Sequence, residues 1–66
     1  METSNSLIAS YKIKIENQDS LISQCRGMIS ISRGNKGEVA EYKNELSVLR
    51  AVRQNYIQFI KDLENL

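Results

Sequence analysis

Apolar residues recur along the C-terminal arm at Val39, Tyr42, Leu46, Leu49, Tyr56, Ile60 and Leu63. This is the alternating three- and four-residue spacing of a helix with one buried stripe, interrupted only at Arg53. Good helix formers fill the positions between. The N-terminal arm carries the same spacing at Ile8, Tyr11, Ile15, Ile22, Cys25 and Ile29, with Gln18 and Ser32 as its polar exceptions. A competing pattern overlaps it. "YKIKI" (residues 11–15) and "MISIS" (residues 28–32) alternate every second residue, as a strand does. The strand reading gives a β-hairpin followed by one long helix. The helical reading leaves Ile13 and Ile31 pointing outward, puts Gly27 in mid-helix, and runs the weak helix formers "NQDS" (residues 17–20) through the first arm, where a break or kink is compatible with it.

Between the arms stands "SRGNKGE" (residues 32–38), whose two glycines and asparagine mark a turn. Gly34 suits the left-handed position just past a helix. Glu38 suits the first turn of the next helix, close to its positive dipole end. The expected layout is a helix over about 4–32, a turn over 33–37 and a helix over about 38–66. Folding back at Asn35–Lys36 matches Ile8 with Leu63, Tyr11 with Ile60, Ile15 with Tyr56, Ile22 with Leu49, Cys25 with Leu46, Ile29 with Tyr42 and Ser32 with Val39. The polar exceptions Gln18 and Arg53 then meet in one layer. That agreement favours an all-α, antiparallel two-helix hairpin, and such a layer serves to fix register and oligomeric state.

The rows beside this seam differ. One flank carries Leu7, Lys14, Leu21 and Met28 from the first helix and Glu45, Val52, Phe59 and Leu66 from the second. Leu21 is expected opposite Val52, Leu7 opposite Leu66, and Phe59 over the Lys14 stem. The other flank carries Lys12, Asp19 and Arg26 with Lys43, Arg50, Ile57 and Glu64, and offers an Asp19–Arg50 ion pair. Two helices cannot by themselves bury the apolar flank. A second copy packed around a two-fold axis can, giving a four-helix bundle in which Leu7, Leu21, Met28, Val52, Phe59 and Leu66 form the oligomer interface. Ile13, Ile31, Val48 and Ile57 remain as contacts for a further partner.

Size points the same way. A chain of 66 residues is one small domain whose single core is marginal. Cys25 is the only cysteine and there is no histidine, which excludes an intrachain disulfide and leaves no zinc ligand set. Self-association is the remaining route. In a seam position Cys25 reads as an inert, reduced thiol. Net charge is +1, too small for a field that recruits nucleic acid or membrane. The N-terminus lacks a charged segment followed by an apolar run, and no stretch is apolar enough to span a bilayer. The chain reads as a cytoplasmic protein, complete from Met1.

Glu38, Glu41 and Glu45 stand at helical spacing, but a carboxylate metal site of that type adds histidine, so they read as a solvated face. The turn end gathers Arg26, Arg33, Lys36, Lys43 and Arg50. Residues 26–53 hold six basic and three acidic side chains, so phosphate contacts there are the alternative to a merely solvated turn. "RGNKGE" lacks the phosphate-loop spacing, and no RNA-binding signature is present. No nucleophile stands beside a base, so no enzyme, cofactor or metal is expected. The expected function is protein–protein binding by a small oligomer, as adaptor, assembly factor or inhibitor of a larger machine, in the manner of small phage or plasmid proteins. The alternative is a small regulator that binds RNA or a nucleotide. In architecture alone, and with no motif matched residue by residue, such a dimer resembles plasmid RNA-binding hairpin dimers.

Overall fold

The computed structural model describes residues 4–66. It holds two helices, α1 (Ser4–Ile31) and α2 (Lys36–Glu64), which lie antiparallel along their whole length. The hairpin measures 50 × 15 × 14 Å, with a radius of gyration of 15.3 Å. A globular chain of this length would have a radius of about 11 Å, so this is a rod with very little interior.

No strand occurs among the described residues, which settles the ambiguity at "YKIKI". Tyr11 and Ile15 stand one helical turn apart and both enter the seam, while Ile13 between them is 59% exposed. A helix places every second residue on different faces, so the strand-like alternation serves no common surface. α1 also runs unbroken through Asn17–Ser20. There the buried Gln18 occupies a seam position, and packing against α2 outweighs weak local propensity.

The turn departs from expectation in detail. Gly34 is not left-handed, since no described residue has positive φ. Instead Asn35 N–H donates to the Ser32 carbonyl at 2.8 Å, closing a tight three-residue step, and Ser32 N–H still donates to Met28 at 2.9 Å. Asn35 then caps α2. Its backbone is extended (φ −118°, ψ 100°) and its side-chain oxygen accepts from Glu38 N–H at 3.1 Å. That bond satisfies an otherwise orphaned donor of the first turn. α2 therefore starts at Lys36, two residues earlier than expected, because the cap is Asn35 and Gly37 is drawn into the helix. The helix ends at Glu64, leaving Leu66 outside it and almost wholly exposed.

The seam follows the 3-4 spacing in both helices. Ile8, Tyr11, Ile15, Gln18, Ile22, Cys25 and Ile29 from α1, with Ser32 just after it, are all at least partly buried. They face Val39, Tyr42, Leu46, Leu49, Arg53, Tyr56, Ile60 and Leu63 of α2, all likewise shielded. Yet among the described residues only Cys25 and Ile60 are buried apolar side chains, alongside the polar Gln18 and Ser32.

Candidate functional site

The polar side chains of the seam are resolved in an unexpected way. Gln18 and Arg53 share a region of the hairpin but do not pair. Gln18 Nε2 donates to the Leu49 carbonyl at 3.2 Å, and one heptad along, the Cys25 thiol donates to the Tyr42 carbonyl at 3.1 Å. Donors seven residues apart on α1 thus reach carbonyls seven residues apart on α2. Each carbonyl has a second lone pair beyond its helical bond, so the device repeats without breaking α2. Sliding one helix along the other would break both bonds together, and this pins the register. Among the described residues no buried side-chain polar atom lacks a partner.

Arg53 takes Asp19 instead, with Nε 2.7 Å from Oδ1. The expected Asp19–Arg50 pair is replaced because the long Arg53 stem leaves the seam and carries its guanidinium to the flank. Both side chains remain substantially exposed, so the pair contributes under about 1 kcal/mol.

Towards the open end an aromatic cluster bridges the helices. The Tyr11 ring lies 5.5 Å from Tyr56, edge-on, and 4.5 Å from Phe59, tilted. Lys14 Nζ stands 4.7 Å from the Tyr11 ring centre and 6.0 Å from that of Tyr56. Sequence reasoning placed Phe59 over the Lys14 stem. The structure puts Phe59 against Tyr11, and the ammonium is held at the ring faces by the aromatic quadrupole.

The candidate site is the flank beside this cluster. Leu21 is 44% exposed, Met28 39% and Phe59 39%, although each stands next to the seam. Leu7 and Val52 are partly covered, and Leu66 lies beyond the end of α2. Between the helices this flank opens into a groove of about 220 Å³, lined by Leu21, Cys25, Met28, Tyr42, Glu45 and Leu49 among others. The groove was not legible from periodicity, since it depends on how the side chains of the two helices pack against one another.

The other singled-out residues scatter. Ile13, Ile31 and Val48 are exposed on outer faces, whereas Ile57 is partly buried beside the seam. Of the basic residues, Arg33, Lys36 and Lys43 come together around a second pocket of about 270 Å³ at the turn, with Val39 and Ala40 as its floor. Arg26 and Arg50 are exposed but do not line it. Among the described residues no three of His, Cys, Asp and Glu gather in a way that could hold a metal ion, and no helix is long and apolar enough to cross a membrane. Compared with protein-family models, curated proteins and solved structures, the chain matches none.

Proposed function

We propose that this chain is a non-enzymatic interaction protein whose working form is a homodimeric four-helix bundle, assembled through the flank of Leu7, Leu21, Met28, Val52 and Phe59. One observation carries this reading: the hairpin exposes too much surface for its mass. Its accessible area is 5027 Å² at 7.6 kDa. A folded monomer of that mass exposes about 4,300 Å². The excess of about 700 Å² is close to the roughly 800 Å² that each partner contributes to a standard interface. A second copy on the flank would cover the exposed apolar side chains of Leu21, Met28 and Phe59. The outward Ile13, Ile31 and Val48 stay available in that assembly for a different protein, which fits an adaptor, assembly factor or inhibitor.

Sedimentation equilibrium at micromolar concentration tests the reading. A dimer with full helicity is expected, and a well-folded monomer overturns it. The meeting of Arg33, Lys36 and Lys43 around one pocket favours a second reading, in which the turn ends of the dimer hold phosphates of RNA or a nucleotide. In that case affinity falls steeply with salt and is lost in Arg33→Glu/Lys36→Glu. Binding that ignores both changes removes this second reading.

A further inference from the structure

The apolar flank is interrupted by two charges of opposite sign, Lys14 on α1 and Glu45 on α2. Their positions along the rod are informative. At a rise of about 1.5 Å per residue from the Asn35–Lys36 fold, Met28 and Glu45 lie about 11 and 14 Å from the turn. On the same count Leu21 and Val52 lie at about 22 and 25 Å, and Lys14 and Phe59 at about 32 and 35 Å. The Leu21–Val52 layer is therefore the midpoint, with Lys14 and Phe59 as far to one side as Glu45 and Met28 are to the other. That midpoint also bisects the 50 Å hairpin.

Given the self-association proposed above, on which this step rests, we infer that two copies pack antiparallel about a two-fold axis perpendicular to the rod, through the Leu21–Val52 layer. Phe59 of each copy then enters the Met28–Tyr42–Glu45 groove of the other, and Lys14 of each stands beside Glu45 of the other. The two hairpins overlap end to end, which covers the most surface. The two layers flanking the midpoint each combine one Lys14, one Glu45, one Phe59 and one Met28. The competing two-fold axis, parallel to the rod, puts two Lys14 side chains in one layer and two Glu45 side chains in another. Like charges brought together while losing water are costly. The side chains already stand on this face. Lys14 is held at the Tyr11 and Tyr56 rings, Phe59 lies against Tyr11, and Glu45 lines the groove with Leu21 and Met28.

A charge exchange tests the pairing. Lys14→Glu and Glu45→Lys are each expected to weaken dimerisation about tenfold, and the double variant to return within about twofold of the parent. Within one hairpin the two residues are about 18 Å apart along the axis, so rescue has to act between copies. Failure of the double variant to recover overturns the pairing. Orientation is read separately from a spin label at Gly34→Cys in a Cys25→Ser background. Gly34 has no positive φ, and a Cβ there meets nothing within 4 Å, so the label site is tolerant. Pulsed dipolar spectroscopy should give a distance of about 45 Å, with the turns at opposite ends. A dimer whose labels lie within about 25 Å overturns the antiparallel packing and leaves self-association standing. A folded monomer overturns both.

Discussion

Leu21→Asp is expected to convert the protein to a monomer and to remove much of its helix. Leu21 sits at the midpoint of the flank and is 44% exposed in the isolated hairpin. Completing its burial in a dimer is worth about 1 kcal/mol per copy, since a whole leucine contributes roughly 1.5–3 kcal/mol. Aspartate forfeits that contribution in both copies and adds a carboxylate to a layer that offers it no cation. A total cost of about 4 kcal/mol per dimer corresponds to about a thousandfold in the dissociation constant. The helices follow because α1 and α2 each present a single stripe and lean on one thin seam. Circular dichroism and sedimentation on the same samples check both parts. A Leu21→Asp protein that stays dimeric and fully helical places the interface elsewhere.

Ile60→Ala is expected to cost about 3 kcal/mol, the usual range for emptying a buried isoleucine site being 2–5 kcal/mol. Ile60 is the most deeply buried aliphatic side chain of α2, only 8% exposed, and no described side chain is buried completely. The loss falls on a fold whose total stability is small at this length. Its neighbourhood cannot relax cheaply, because Tyr11 already makes ring contacts with Tyr56 and Phe59 across the helices. In the dimer proposed above each copy carries the change, so the urea midpoint should fall while its dependence on protein concentration stays the same. A midpoint shift equivalent to less than 1 kcal/mol would place the stabilising core away from Ile60.

Most of the seam is legible in the sequence. Tyr42, Leu46 and Leu49 need only a helix to share a face, and the same holds for Ile22, Cys25 and Ile29. Even Gln18 and Arg53 are where periodicity puts them. The partner of Gln18 was not legible, whereas Asp19, with Glu16, was among the carboxylates within reach of Arg53. Gln18 donates to a main-chain carbonyl, and every residue has one, so side-chain pattern carries no trace of that bond. Arg53 reaches Asp19 because its stem is long enough to leave its own row, which a wheel of positions does not represent. Glycine chemistry misled at Gly34, where the Asn35 cap and the Ser32 carbonyl set the turn without a left-handed residue.

Periodicity alone establishes the second helix and the turn, and it favours a helical first arm and a flank with more apolar surface than a hairpin can bury. These follow from spacing and length, which are properties of the chain taken one turn at a time. Tertiary structure decided how the helices lock together, where the groove opens, and that Lys14 is held at aromatic rings while Glu45 lines the groove. Those depend on side-chain reach and on atoms common to every residue. They take definite form only once α1 and α2 are set side by side in a single register.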